Sequence, residues 1–116
     1  MVGGMTEPRL KTDFWVRAQI RLCDIAFIPA VIGRKGDPDA GQVLIRRDLR
    51  NGICELFART ILDDGRRGWR RLGGPDAIDR DAADSLVARE TSFDPDLWVL
   101  EIDDPGRRYE LDAPIV

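Results

Sequence analysis

Two Asp-Pro-Asp segments, Asp37-Pro38-Asp39 and Asp94-Pro95-Asp96, each stand just before an apolar run. An Asp opening such a turn bonds its own backbone, and the following Pro presets φ, so the preceding element cannot continue through it. The first segment therefore releases the chain into Gln42-Val43-Leu44-Ile45, and the second into Leu97-Trp98-Val99-Leu100. Both runs read as strands, over residues 42–47 and 97–102. They divide the chain into short pieces joined by short turns, which favours mainly antiparallel pairing.

The remaining punctuation fills in the order. Residues 12–26 alternate apolar and polar side chains, which would also suit a strand. At 100° per residue, however, Asp13, Arg17, Arg21 and Asp24 gather on one narrow arc, so the segment reads as a mostly buried helix capped by Thr12 or Asp13. Residues 27–33 form a strand in which Pro29 requires an edge or a strand start. Asn51-Gly52 is the strongest hairpin signal and joins residues 42–47 to a strand over residues 53–60. A turn at Asp63–Gly68 leads to a short strand over residues 69–72. Gly73-Gly74-Pro75 precedes a second helix over residues 79–92, with acidic residues in its first turns. Residues 97–102 and 107–111 close the chain as two strands. The expected fold is α+β in the order α-β-β-β-β-α-β-β: a mainly antiparallel sheet of five to six strands with two helices on one face.

The chain of 116 residues suits a single domain, with residues 1–9 as a flexible N-terminal segment. An apolar share of 43% against 34% charged places it among globular rather than disordered chains. The N-terminal stretch lacks the apolar core of a signal peptide, so a cytoplasmic location is expected. Cys23 and Cys54 both sit in apolar surroundings and read as buried free thiols. There is no histidine. That excludes Ser-His and Cys-His catalysis and most zinc sites together.

The segments Trp15-Val16, Ile20-Arg21, Arg34-Lys35-Gly36-Asp37-Pro38-Asp39-Ala40-Gly41 and Phe93-Asp94-Pro95-Asp96-Leu97-Trp98-Val99-Leu100-Glu101-Ile102-Asp103 occur together here. In this the chain resembles a family of short alphaproteobacterial proteins classed as a domain of unknown function. The resemblance spans nearly the whole chain and implies a small bacterial cytoplasmic protein. It brings no substrate, cofactor or catalytic residue with it.

Charge is unevenly distributed. Residues 1–72 carry 14 Lys/Arg against 9 Asp/Glu, and residues 73–116 carry 4 against 12, within a net charge of −3. Nearly all the cations are arginines, suited to bidentate contact with carboxylate or phosphate. This split favours a non-catalytic interaction module whose Arg-rich edge binds an acidic protein, or the acidic part of a second copy in a homo-oligomer. Nucleic acid is a weaker fit for a chain of pI near 5.0, and no cofactor or membrane is implied. The candidate binding residues are Arg34, Lys35, Arg66, Arg67 and Trp69, the last expected to be the most exposed tryptophan. The alternative is a weak Mg²⁺-dependent phosphodiesterase with Asp94, Asp96, Glu101 and Asp103 as metal ligands. It lacks the lysine expected two residues after the strand acid, where Asp103 stands instead.

Overall fold

A computed structural model describes residues 10–116; residues 1–9, expected as a flexible segment, lie outside the described residues. The elements are α1 (Thr12–Ile25), β1 (Ala30–Arg34), β2 (Val43–Asp48), β3 (Ile53–Ile61), β4 (Arg67–Leu72), β5 (Ile78–Asp79), α2 (Arg80–Phe93) and β6 (Trp98–Asp103). One sheet runs β1-β6-β2-β3-β4, with the two-residue β5 added to β3. All pairings are antiparallel except β2 with β6. The fold is thus the expected α+β type with a mostly antiparallel sheet of six strands. As Pro29 requires, β1 begins just beyond it and lies at the sheet edge. Lys11, not Thr12 or Asp13, precedes the first helical residue, and Thr12 instead donates its hydroxyl to the Gly41 carbonyl at 2.8 Å.

Two expectations are corrected. The final strand over residues 107–111 does not form. Its backbone groups are taken by side chains: the Asp104 carboxylate accepts the amides of Arg108 and Tyr109, and Arg47 donates to the Tyr109 carbonyl. Side-chain bonding of this kind competes directly with a strand ladder. Only at Ile115 does the segment bridge, in parallel, to Trp69 of β4.

The second correction concerns the helices, which cover opposite faces of the sheet. Trp15, Val16 and Cys23 of α1 pack with Val43, Ile45, Phe57, Trp69, Leu100 and Tyr109. Ala83 of α2 packs with Leu44, Leu56, Leu72 and Val99, joined by Leu86 and Val87. The cause lies in the central strands. Val43-Leu44-Ile45 and Trp98-Val99-Leu100 are uninterrupted apolar runs, buried at every position. Side chains alternate between faces, so a strand without polar alternation needs cover on both. Arg46 and Arg47 separate in the same way: Arg46 pairs with Asp84 of α2 at 2.7 Å, and Arg47 turns to the α1 face.

The two Asp-Pro-Asp turns meet in space. Asp37 donates its amide to the Asp96 carbonyl at 3.0 Å, and the Trp98 indole donates to the Asp37 carbonyl at 2.7 Å. The contact is backbone against backbone because Gly36 and Gly41 both lie against Asp96, with no room for a Cβ at either. Each turn keeps a carboxylate for itself, Asp37 accepting from Ala40 and Asp94 from Asp96. This join ties the loop after β1 to the start of β6.

On the α1 face, beyond the apolar core, Glu55 of β3 is fully buried and accepts from Arg47, Arg71 and Arg107. Arg47 also donates to Asp104 at 3.1 Å. Burial alone would raise the pKa of both carboxylates, but their partners outweigh it. The Arg71 hydrogen bond and the charges of Arg47, Arg71 and Arg107 hold Glu55 below its ordinary 4.5. The amides of Tyr109 and Arg108, with Arg47, hold Asp104 below 3.8. Carboxylates with depressed folded-state pKa values stabilise the fold above their unfolded values and lose that contribution as pH falls through the folded ones. Stability is therefore expected to be flat above about pH 5 and to fall steeply below pH 4. Glu55→Gln should cost roughly 3 kcal/mol at neutral pH, by taking from the buried Arg47 and the half-buried Arg71 the carboxylate they share, and should flatten the acid limb. Urea unfolding followed across pH 2–7 checks both. Gly36→Ala should cost about 2 kcal/mol by prising the two turns apart.

Candidate functional site

The β3 positions that share a face alternate Glu55, Phe57 and Arg59. Arg59 is thereby carried onto the α1 face, where its guanidinium lies 4.6 Å from the Trp15 ring centroid and 5.8 Å from that of Trp69. The two indoles sit 5.9 Å apart, and both donate to one carboxylate: Trp15 to Oδ2 and Trp69 to Oδ1 of Asp112, each at 2.9 Å. Asp112 thus fixes both rings while its two oxygens are directed to the indoles. The Arg59 side chain makes no salt bridge or hydrogen bond among the described residues, and its Nη2 is shut from solvent without a partner. Burial, and then the charge of Arg67, lower its pKa; Asp112 and Tyr109 oppose this only in part. A guanidinium held on aromatic faces without a bonded anion is poised for one.

An open groove of about 640 Å³ leads to it. One wall is Lys11, Thr12 and the loop Asp39-Ala40-Gly41-Gln42; the other is Ile61 with Gly65, Arg66 and Arg67 of the β3–β4 turn. Arg66 is half committed, since its Nε donates to Asp64 at 2.6 Å. Lys11 faces Asp39 at 3.6 Å, an exposed pair of little strength. Arg67 is exposed and makes no ion pair among the described residues. Leu10 and Ile61, both largely exposed, add apolar surface to the same groove.

The residues singled out in the sequence are dispersed. Arg66 and Arg67 line the groove. Arg34 lies at the end of β1, where it donates to the Leu97 carbonyl at 2.6 Å, and exposed Lys35 follows it; neither belongs to the groove. Trp69 is not the exposed tryptophan: it is 1% accessible, because its odd position in β4 faces α1 and the glycine before it lets the C-terminal segment close over the strand. The four carboxylates of the metal alternative do not assemble. Asp94 and Asp96 are turn residues at the entrance to β6, whereas Glu101 and Asp103 lie along the strand facing α2, Asp103 paired with Arg50 at 3.2 Å. Among the described residues no group of three or more potential ligands could hold a metal ion. No described helix is long and apolar enough to cross a membrane.

A family model described as "Protein of unknown function (DUF1491)" matches residues 10–112. The chain belongs to the DUF1491 family. The crystal structure of a DUF1491 family protein from Caulobacter crescentus is similar over 93% of this chain and 100% of that one, with 36% identity and a TM-score of 0.82. An NMR structure of a DUF1491 family protein from the same organism covers 95% and 99%, at 36% identity and a TM-score of 0.79. A solution structure of an A. tumefaciens protein covers 83% and 86%, at 29% identity and a TM-score of 0.69. No curated protein matches this DUF1491 chain. The family match extends over Trp15, Arg59, Trp69 and Asp112, so the whole aromatic–guanidinium assembly lies within the DUF1491 domain.

Arg59 is the residue that motif reading passes over. Its signal is parity: Ile53, Glu55, Phe57, Arg59 and Ile61 share one face of the strand, so Arg59 carries a charge onto the side that Phe57 buries. A half-buried cation lacking a bonded partner carries a desolvation cost that an apolar side chain of similar length removes. Arg59→Met is therefore expected to raise stability by about 1 kcal/mol, as replacement of residues kept for function commonly does. Chemical denaturation measures it; a loss of more than about 1 kcal/mol would make Arg59 a structural residue instead.

Proposed function

We propose that this DUF1491 domain is a non-catalytic binding module that takes an acidic segment of a partner protein into the Arg59 groove. The observation that carries the reading is the guanidinium of Arg59, desolvated on two indole faces with no bonded anion among the described residues. A carboxylate from the partner supplies the missing counter-charge, Arg67 and Arg66 attract it from the rim, and Leu10 and Ile61 receive its neighbouring apolar side chains. Charge-assisted bonds to arginine are the strong class of hydrogen bond, and more so beside a low-dielectric wall.

A peptide suits the groove better than a nucleic acid. Asp39 and Asp112 interrupt the basic lining, which would repel a continuous run of phosphates. All three tryptophans are buried, so none offers a free face for stacking on bases. The domain operates in the cytoplasm on this reading, in keeping with two buried free cysteines. Caulobacter and A. tumefaciens neighbours support an alphaproteobacterial family setting.

The test is NMR titration of the full chain with a short Glu/Leu peptide and, separately, with a single-stranded oligonucleotide. The expected result is a shift of the Trp15 and Trp69 indole N–H signals with the peptide, saturating at low salt and weakening as salt is raised. Arg59→Met should reduce affinity about 10-fold or more, and Arg66→Glu with Arg67→Glu should slow association and remove most of the salt dependence. Indole signals that stay fixed, or equal affinity for the Arg59→Met protein, would refute it. Tighter binding of the oligonucleotide would reassign the groove to nucleic acid.

A further inference from the structure

The two edges of the sheet are unlike. At the β4 edge the chain covers itself: Trp69 donates to the Pro114 carbonyl at 2.8 Å and accepts from Val116 at 2.9 Å. The other edge, β1, has no such cover among the described residues. The Asp103 amide bonds the Pro29 carbonyl, which fixes the phase of the β1–β6 ladder. Pro29 and Val31 direct their backbone groups at β6, and Ala30 and Ile32 direct theirs outward. The side chains around this edge are apolar and exposed: Val31 at 59%, Ile32 at 40% and, just before the strand, Phe27 at 89%. Folded proteins ordinarily blunt such an edge with charge, proline or a covering loop. Between Pro29 and Arg34 this strand carries neither charge nor proline.

We propose that β1 is a homodimerisation edge, pairing antiparallel with β1 of a second copy across a two-fold axis at Val31. The strand's own pattern selects that occupant. With Val31 on the axis, Ala30 of one copy faces Ile32 of the other, and these are the two residues whose backbone groups point outward. The two Ala30–Ile32 pairs exchange four backbone hydrogen bonds, and Val31 meets Val31 as the close, non-hydrogen-bonded pair between them. Both faces gain cover. Ile32 packs across Ala30 of the partner on the α1 side, and the two valines cover each other on the α2 side. There Val31 borders a shallow depression of about 160 Å³ shared with Arg46 and Glu101. At β4 of a second copy the backbone groups of Trp69 are already taken by its own C-terminal segment, which leaves β1 the freer edge. The interface is isologous and closes at two.

Sedimentation equilibrium of the full chain up to about 1 mM, where an interface with a millimolar Kd still associates, should show monomer and dimer only. Val31→Lys and Val31→Glu each place like charges opposite one another on the axis and should weaken dimerisation at least about 10-fold. An equimolar mixture of the two should regain it as a heterodimer. Val31 is exposed in the monomer, so both variants should keep the far-UV spectrum of the parent. In hydrogen exchange, the amides of Ala30 and Ile32 should be protected in concentrated samples and exchange faster on dilution. A monomer at every concentration, a dimer indifferent to Val31→Lys, or failure of the mixture to associate would each overturn the proposal. So would exchange at Ala30 and Ile32 that ignores concentration. None of these readouts involves the Arg59 groove, so this test is independent of the binding reading.

Discussion

Glu55 is a carboxylate in an interior strand of the sheet, closed off from water and surrounded by three arginines. Removing such a group from water is costly unless every lone pair is met, and here the partners come from β2, β4 and the C-terminal segment. The arrangement works in one direction only. With Arg47 spanning Glu55, Asp104 and the Tyr109 carbonyl, the irregular stretch after β6 is fixed against the sheet without a ladder of its own. That placement brings the Tyr109 hydroxyl to Gln19 of α1 at 2.7 Å and Asp112 to the two indoles. The charged cluster thus lies upstream of the apolar packing on that face, and of the groove beside it.

The groove follows from the same logic with one step left out. Arg47, Arg59 and Arg71 all project from the sheet toward the α1 side, and each lies over aromatic carbon, Arg47 and Arg71 over Phe57 and Arg59 over Trp15. The first and last also reach Glu55. Arg59 is farther along β3, beyond the reach of that carboxylate, and the nearest acid, Asp112, is engaged by indole N–H groups. Two chemically similar arginines are structural and the third is available, and the difference is a matter of which acid stands within bonding distance.

Turn chemistry carried most of what the sequence disclosed. Asp-Pro-Asp and Asn-Gly located the strand starts to within a residue or two, and Pro29 placed β1 at an edge, because those residues restrict their own backbone regardless of surroundings. The faces were harder to read. Val43-Leu44-Ile45 signals burial on both sides, but only the completed sheet order shows which helix covers which side. Residues 107–111 have strand-like composition, and their fate turned on Asp104, which captures two amides while paired with Arg47, 57 residues upstream. The candidate site was half visible: Arg66 and Arg67 stand in a turn that any charge count notices. Arg59 and Asp112 became informative only through Trp15 and Trp69, by contacts between residues far apart in the chain.

The parallel pairing of β2 with β6 has a consequence for the order of assembly. It joins residues 43–48 to residues 98–103, and β1 enters the sheet only through β6. During synthesis the β2–β3–β4 meander can form from neighbouring sequence, while β1 waits unpaired for a strand made more than sixty residues later. Contacts of such long range close slowly. The nascent chain therefore passes through a stage in which β2 presents a bare apolar edge, the stage most exposed to aggregation. Docking of the two Asp-Pro-Asp turns, one at the exit of β1 and one at the entrance of β6, ends that stage by setting β6 in register between its neighbours.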